Sequence, residues 1–177
     1  MSWPRALPWI ALLLLAGLVL GDVRVPAWLG GTGGPPYRAG GSAQARLVRV
    51  IDGDTIVVRV GGRVERVRYI GMDTPETVKP NTPVQCWGPQ AHELNARLLG
   101  APGAALTLRF DRELRDRYGR LLAYVYRARD GLLVNARLVA DGAARTLEIA
   151  PNTGDAAQLG VLEARARASG LGLWSAC

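Results

Sequence analysis

The chain has 177 residues, enough for one folded domain with appendages, since a core of ordinary density needs roughly 100 to 150 residues. Hydrophobic residues make up 49% and charged residues 21%, which excludes the polar bias of a disordered protein. The formal charge of +7 attracts polyanions, so nucleic acid or an anionic membrane surface is the expected kind of partner. Lys79 is the only lysine among 22 basic residues, and arginine suits bidentate phosphate contacts, although genomic base composition also produces such a bias.

The N-terminal segment predicts export. Arg5 precedes an apolar run over residues 7–20, which is shorter than the roughly 20 residues that span a bilayer, and Asp22 brings the first acidic charge. The cleavage pattern is a poor match, so residues 1–21 are either a signal peptide or an uncleaved membrane anchor. We therefore expect a protein that is secreted or tethered to the outer face of the cytoplasmic membrane.

A Gly- and Pro-rich tract follows this segment. Residues 30–41 read GGTGGPPYRAGG and contain almost nothing that a core could bury. Residues 22–44 are therefore predicted to be a linker. Ordered structure is expected from Ala45, and one folded domain covers residues 45–177.

Five β-strands are predicted downstream of the linker, because short runs rich in β-branched residues are separated by turn residues. Gly61 and Gly62 lie between two alternating runs, and such a step indicates a two-residue hairpin, since both glycines accept positive φ. The predicted strands are RLVRVI (46–51), TIVVRV (55–60), RVERVRYI (63–70), AALTLRF (104–110) and RLLAYVYRA (120–128).

Three helices complete the predicted elements. Pro89 marks the start and Gly100 the stop of the first helix, GPQAHELNARLLG. Two further helices are predicted over residues 133–140 and 155–168, where apolar residues recur at helical spacing. This order favours a β barrel plus α fold, a five-stranded OB-type barrel with three helices, because closure removes exposed sheet edges.

Cys86 and Cys177 are the two cysteines of the chain. An exported protein meets an oxidising compartment, where two thiols pair readily. A disulfide between them would close about 90 residues and stabilise the fold by roughly 4 kcal/mol on the chain-entropy model. The alternative is two independent thiols.

The segment DGDT, residues 52–55, is the first candidate site. Gly53 permits a sharp turn, so that Asp52 and Asp54 project carboxylates at the mouth between two strands. Closely spaced oxygen donors suit a hard cation such as Ca²⁺. Taken singly, the motif is also an ordinary Asp-Gly turn.

The segment DTPE, residues 73–76, is the second candidate. Pro75 fixes its own φ and biases Thr74 towards an extended conformation, which aims the Thr74 carbonyl outward beside Asp73. Glu76 follows three residues after Asp73. Taken alone, this motif is equally a turn or a helix cap.

Arginines of two further segments are expected near these acidic loops. The segment RDRYGR, residues 115–120, crowds Arg117, Tyr118 and Arg120 into a short loop. Taken alone, this loop is a solvated charged turn. Arg68 lies on the third predicted strand and faces the same mouth if strand alternation holds.

The order of these motifs resembles that of the staphylococcal nuclease (thermonuclease) family. DGDT, R-x4-DTPE, GPQA at a helix start, D-R-YGR followed by LAYVY, and a terminal GLWS occur in one order from about Ala45 to Ser175. The resemblance implies an OB-type barrel with three helices. It also implies calcium-dependent cleavage of single-stranded or frayed DNA and RNA that leaves 3′-phosphates.

The resemblance assigns a Ca²⁺ site to the acidic loops. Asp54 and Asp73 match carboxylate ligands, Thr74 matches a carbonyl ligand, and Asp52 lies nearby in support. A bound cation polarises a phosphoryl oxygen and orients the attacking water.

The resemblance also implies which residues bind the phosphate and which carboxylate accepts the proton of the attacking water. Arg68 and Arg120 match positions that hold the phosphate, and Glu76 matches the general base. Arg117 and Tyr118 match positions that contact a terminal phosphate of the bound nucleotide. Phosphodiester hydrolysis needs these parts, because a hydroxide must be placed opposite the leaving oxygen while charge accumulates on the phosphoryl oxygens.

The sequence departs from the family before the last helix. The family often has two tyrosines there that form a wall against a nucleobase, whereas residues 145–154 read RTLEIAPNTG without an aromatic residue. Base stacking is commonly worth roughly 1 to 3 kcal/mol per base, so weaker nucleotide affinity is expected.

Two alternatives belong to other functional classes. OB-type barrels also bind single strands without cutting them, and an anchored basic barrel would also contact anionic lipid. The complete set of acidic and arginine residues favours the enzyme. We expect a monomer that acts on DNA and RNA, without an obligate protein partner.

Overall fold

The structure of the protein is a computed structural model that describes residues 37–77 and 83–177. In chain order the elements are β1 (Ser42–Asp52), β2 (Thr55–Val60), β3 (Arg63–Tyr69), β4 (Met72–Asp73), α1 (Gly88–Leu99), β5 (Ala105–Arg109), β6 (Leu121–Arg127), α2 (Val134–Ala140), β7 (Arg145–Thr146), α3 (Ala156–Ala168) and α4 (Leu173–Ala176).

Five strands close into a barrel in the order β1-β2-β3-β6-β5, and β5 pairs back to β1. All neighbouring pairs are antiparallel except β3 and β6, which run parallel. The predicted five-stranded OB-type barrel with helices is therefore confirmed. The two-residue strands β4 and β7 and the short helix α4 were not predicted, because such short elements show no hydrophobic periodicity.

The barrel encloses one hydrophobic core. Strand β2 contributes Ile56, Val58 and Val60 to this core, and each of them is at most 1% exposed. Helix α2 lies between the barrel and α3, and its Val134 and Leu138 are fully buried. The barrel strands and helix α2 are therefore fixed in position by their packing in this core.

The folded part of the chain begins earlier than predicted. Tyr37 is buried, its hydroxyl donates to the Glu65 carboxylate at 2.7 Å, and its ring lies 5.5 Å from that of Phe110. Strand β1 begins at Ser42. The assignment of residues 37–44 to the linker was therefore wrong, because the partners of Tyr37 are remote in sequence and leave no local signal.

The predicted signal peptide or anchor and residues 22–36 of the predicted linker lie outside the described residues. The apolar run over residues 7–20 consequently remains a prediction. Among the residues that the structure does describe, no helix is both long enough and apolar enough to cross a membrane.

Both cysteines of the chain are joined in one disulfide. Cys86, two residues before α1, is bonded to Cys177 at the C-terminus, and their Cα atoms are 5.9 Å apart. The disulfide therefore ties the start of α1 to α4.

Candidate active site

Strand β3 brings the acidic loops and the arginine-rich loop together. Arg68 pairs with Thr55, the residue that begins β2 after the turn of DGDT. Arg68 also pairs with Leu122 on the parallel strand β6, which follows the segment RDRYGR. These two pairings place Arg68 at the end of the barrel where the DGDT turn lies, as the sequence predicted.

Arg68 bridges the two acidic loops. Its Nη1 lies 2.7 Å from Oδ2 of Asp54, and its Nη2 forms an ion pair with the carboxylate of Asp73. Nη1 also donates to the carbonyl of Met72 at 3.0 Å. The Arg68 side chain is only 12% exposed, so these contacts compensate a largely buried positive charge.

Asp54 joins the DGDT turn directly to Thr74. The Thr74 amide and hydroxyl both donate to Oδ2 of Asp54, at 3.0 and 3.1 Å, and Thr55 donates its hydroxyl to Oδ1 at 2.9 Å. Gly53 makes this approach possible, because a Cβ there would lie 2.7 Å from the Thr74 hydroxyl oxygen. Two turns that are ordinary by themselves thus form one unit.

Asp52, the first residue of the same turn, is fixed by hydrogen bonds of its side chain and its main chain. Its Oδ1 accepts the Thr77 hydroxyl at 2.7 Å and the Gly53 amide at 2.8 Å. Its main-chain carbonyl accepts Nδ2 of Asn95 at 3.0 Å, and Asn95 in turn accepts the hydroxyl of Tyr69 at 3.0 Å. Asp52 therefore supports the turn.

Sequence reasoning missed Asn95. This residue lies on α1 and is fully buried, so its amide must find partners inside the protein. A polar residue among the apolar positions Ala91, Leu94 and Leu98 of a helix was the available signal. Its function is to hold the DGDT turn against α1.

Carboxylates crowd around Arg68. Burial raises the pKa of Asp52 against its hydrogen bonds from Thr77 and Gly53, and the neighbouring Glu76 and Asp54 raise it further. Burial also raises the pKa of Asp73; Arg68 opposes this shift, and the charges of Asp54 and Glu76 add to it. The carboxylates of Asp52, Asp54, Asp73 and Glu76 thus lie close to one another around the Arg68 guanidinium.

Glu76 is fixed by its neighbours in the chain and by Gln85. Its main-chain amide donates to Oε1 of Gln85 at 2.8 Å, and its carboxylate accepts the Thr77 amide at 3.0 Å. The Glu76 side chain also shares a hydrogen bond with Asp52, and its charge raises the pKa of Asp73, so the Glu76 carboxylate lies close to both.

The segment RDRYGR forms a compact turn beside the cluster. Asp116 accepts Nε of Arg120 at 2.6 Å, and Arg117 donates to the hydroxyl of Tyr118 at 2.7 Å. The guanidinium carbons of Arg117 and Arg120 lie 4.9 and 5.5 Å from the centre of the Tyr118 ring. Tyr118 is 68% exposed, so this cationic face is open to a ligand.

A cleft of about 460 Å³ separates this turn from the segment before α3. Arg68, Arg117, Tyr118 and Arg120 line the cleft together with the exposed aliphatic side chains of the other segment, Leu147 and Ile149. Arg68 belongs both to the cleft and to the acidic cluster, so it is the physical link between them.

Comparison with known proteins identifies the family. A family model described as "Staphylococcal nuclease homologue" matches residues 66–176. The chain is also 42% identical over 122 residues to the thermonuclease of Staphylococcus hyicus, in an alignment that covers 66% of this chain and 70% of that protein. The chain belongs to the staphylococcal nuclease homologue family.

Two further relatives are comparably similar to this chain. The thermonuclease of Staphylococcus intermedius is 48% identical over 104 residues, which cover 59% of this chain and 60% of that protein. Endonuclease YncB of Bacillus subtilis (strain 168) is 44% identical over 131 residues, which cover 73% of this chain and 60% of that protein. The alignments thus span about 60% of the length of these two relatives.

The family match covers part of the site, and the structure adds the remaining part. The matched region contains Arg68, the DTPE segment and the RDRYGR segment, but it begins after Asp52 and Asp54. The hydrogen bonds of Thr74 to Asp54 bring the DGDT turn into the same site.

Proposed function

We propose that this family member is a hydrolytic nuclease that uses Ca²⁺ to cleave phosphodiester bonds of DNA and RNA, prefers single strands and leaves 3′-phosphates. The observation that carries the proposal is the position of Arg68, which is shared by a carboxylate cluster and an arginine-lined cleft. The relatives named thermonuclease and endonuclease support hydrolysis of nucleic acid.

The cleft suits a phosphate chain. Arg68, Arg117 and Arg120 offer guanidinium donors, which form strong paired hydrogen bonds with phosphate oxygens. Arg68 is 12% exposed, so a phosphate must enter deeply to reach it. A single strand bends its backbone into such a cleft more easily than a duplex, and this supports the preference for single strands.

The donor set fits a hard cation. Asp54, Asp73 and the Thr74 carbonyl, with Asp52 in support, offer only oxygen ligands, as Ca²⁺ prefers. The carboxylates around Arg68 also favour a divalent cation, because its charge would offset theirs.

The proposed donor set combines carboxylates with a main-chain carbonyl. Within the described ranges, 37–77 and 83–177, no three Asp, Glu, His and Cys side chains are arranged to hold a metal ion. Both oxygens of Asp54 accept hydrogen bonds, and Arg68 pairs with Oδ2 of Asp54 and with Oδ1 of Asp73. When bound, Ca²⁺ would supply positive charge to the phosphoryl group and orient the attacking water.

The protein's own residues supply the proton transfer and the phosphate contacts. Glu76 takes a proton from the attacking water, whose oxygen forms a bond to phosphorus. Arg68 and Arg120 donate hydrogen bonds to the phosphoryl oxygens as their charge increases. The bond between phosphorus and the 5′-oxygen breaks and the 5′-oxygen takes a proton from solvent water, so the phosphate stays on the 3′ side.

The decisive experiment measures cleavage of an end-labelled single-stranded oligonucleotide with Ca²⁺, with Mg²⁺ and with a chelator. We expect cleavage with Ca²⁺, 3′-phosphate ends on the products, and loss of activity in chelator. Glu76→Gln should lower kcat by about 10² to 10⁴, the range typical of a general base. Binding of the oligonucleotide without cleavage would instead support a binding module, and undiminished turnover of Glu76→Gln would refute the base assignment.

We also propose that the protein is exported and acts as a monomer. The apolar run over residues 7–20 supports export. N-terminal sequencing of protein from the medium and from the membrane fraction will distinguish cleavage after residue 21 from a retained anchor, and light scattering will give the oligomeric state. Protein found only in the cytoplasm would refute export.

A further inference from the structure

Gln85 forms hydrogen bonds with both main-chain polar groups of Glu76, its amide and its carbonyl. The Glu76 amide donates to the side-chain oxygen of Gln85 at 2.8 Å, and the Gln85 amide donates to the Glu76 carbonyl at 2.9 Å. The residues between Thr77 and Pro83 lie outside the described structure. The paired hydrogen bonds therefore join Glu76 directly to Gln85.

Gln85 is itself part of a tight turn at the start of α1. The Gly88 amide donates to the Gln85 carbonyl at 3.0 Å, and Trp87 takes the left-handed conformation, with φ 69° and ψ 1°. These are the angles of the third residue of a type II turn, where glycine is usual. A large residue keeps such a conformation only when its surroundings impose it.

The turn also packs directly on the DTPE loop. A Cβ added to Gly88 would lie 3.1 Å from the carbonyl oxygen of Glu76 and 3.2 Å from that of Pro75. The first residue of α1 thus lies against the main chain that carries Glu76, and displacement of the turn would displace Glu76.

The disulfide ties this turn to the body of the domain. Cys86 is the second residue of the turn and is bonded to Cys177. Helix α4, just before Cys177, is anchored by Leu173, which is 2% exposed and donates its amide to the carbonyl of Gly142 at 2.9 Å. A covalent path therefore leads from a packed helix to the residue beside Gln85.

We propose that Gln85 and the Cys86–Cys177 disulfide are positioning elements for Glu76. They hold the Glu76 carboxylate at the place from which it takes the proton of the attacking water. This inference rests on the proposed function of Glu76 as the base. A general base must be within hydrogen-bond reach of its proton, and a displacement of about 1 Å lowers rates by about 10²-fold.

The disulfide also makes the activity sensitive to reduction. An external dithiol supplies two electrons and two protons, the S–S bond breaks into two thiols, and the dithiol is oxidised to its own disulfide. The freed turn then holds Glu76 less firmly. We expect treatment with dithiothreitol to lower kcat to the level of a variant that lacks both cysteines.

The test uses variants of the full chain and the single-stranded oligonucleotide assay. Gln85→Met removes the acceptor oxygen at nearly constant size, Gln85→Glu retains an acceptor, and the double variant Cys86→Ala/Cys177→Ala removes the disulfide. We expect kcat to fall about tenfold or more for the Met and double Ala variants, with KM changed by less than about twofold, and to stay within about threefold for Gln85→Glu. Gln90→Met, on an exposed position of α1, is the matched control and should not change kcat.

Gln85 and the disulfide could also affect kcat through the fold in general and not through Glu76. Repeating the substitutions in a Glu76→Gln background separates these two cases. Residues that act through Glu76 lose their effect there, so Gln85→Met should lower kcat by less than about twofold. All assays run at a temperature at which circular dichroism shows every variant folded. An equal loss of kcat in both backgrounds, or wild-type kcat of Gln85→Met and of the double Ala variant, overturns the proposal.

These outcomes are distinct from failure of the proposed function. If Glu76→Gln itself keeps wild-type turnover, the base assignment fails and the positioning proposal fails with it. If Glu76→Gln is impaired while the Gln85 and cysteine variants are not, only the positioning proposal fails.

Discussion

Substitution of Gly53 by alanine is a sharp test of how the two acidic loops are joined. Its φ is not positive, so the backbone conformation at this position allows alanine. The added Cβ, however, would lie 2.7 Å from Oγ1 and Cγ2 of Thr74 and 2.8 Å from its Cβ. A change of rotamer does not relieve contact with a Cβ atom, so the main chain of Thr74 must move away from Asp54.

The cost follows from the contacts that this movement disturbs. Overpacking of a closely packed site costs about 1–3 kcal/mol. Thr74 makes two hydrogen bonds to the Asp54 carboxylate, and loss of one such bond to a charged group costs about 1.5–3 kcal/mol. We therefore expect Gly53→Ala to lower the free energy of unfolding by about 3–5 kcal/mol, and kcat to fall by about 10²-fold or more because the proposed ligands Asp54 and Thr74 separate.

Urea unfolding and the oligonucleotide assay measure the two effects. Gly160→Ala on α3 is the matched control, because nothing lies within 4 Å of a Cβ there, and this substitution should be neutral or slightly stabilising. Thr74→Gly removes the atoms that clash, so adding Gly53→Ala to Thr74→Gly should cost under about 1 kcal/mol. Wild-type stability and turnover of Gly53→Ala would refute the close contact of the two loops.

Three further predictions concern stability, pH and substrate binding. Removal of the Cys86–Cys177 disulfide, which spans 91 residues, should lower the free energy of unfolding by about 4–5 kcal/mol on the chain-entropy model; a urea midpoint unchanged by reduction would contradict this. Hydrogen bonds from Arg115 lower the pKa of Glu65 below its ordinary value of 4.5, so their contribution to stability is present above that value and is lost as the pH falls through the folded pKa. Wild-type protein should therefore lose more stability than Glu65→Gln between about pH 5 and pH 3, and parallel curves of unfolding free energy against pH would contradict the assignment. Tyr118→Ala should raise KM by about three- to tenfold and leave kcat nearly unchanged, as expected for a residue that binds substrate equally in the ground and transition states; a fall in kcat alone would point to a different role.

Much of the fold was predictable because its signals are local. The β-branched runs of β2 and β3 and the Gly61-Gly62 step between them are readable in a few residues, and the observed hairpin follows them. The position of Tyr37 was not predictable, because its partners Glu65 and Phe110 are remote in sequence. Local composition therefore placed the start of the domain too late.

Some residues of the candidate site were likewise predictable from the sequence, and others were not. The motifs predicted that Asp54, Asp73 and Thr74 belong together, and the structure joins Thr74 to Asp54 and both carboxylates to Arg68. Asn95 and Gln85 were missed, because each acts through main-chain groups of another loop, and no spacing in the sequence reveals such a contact.

The departure from the family concerns the proposed contacts with the nucleobase and leaves the proposed catalytic residues in place. Leu147 and Ile149 stand across the cleft from Arg117 and Tyr118, in the segment where the family often has tyrosines. Aliphatic side chains exclude water from a base, but they lack the ring stacking that is commonly worth roughly 1 to 3 kcal/mol. Because Arg68 and its carboxylate partners lie outside that segment, substrate affinity must then rest mainly on phosphate contacts. Such contacts weaken steeply with salt, so KM should depend more on ionic strength than on the identity of the base.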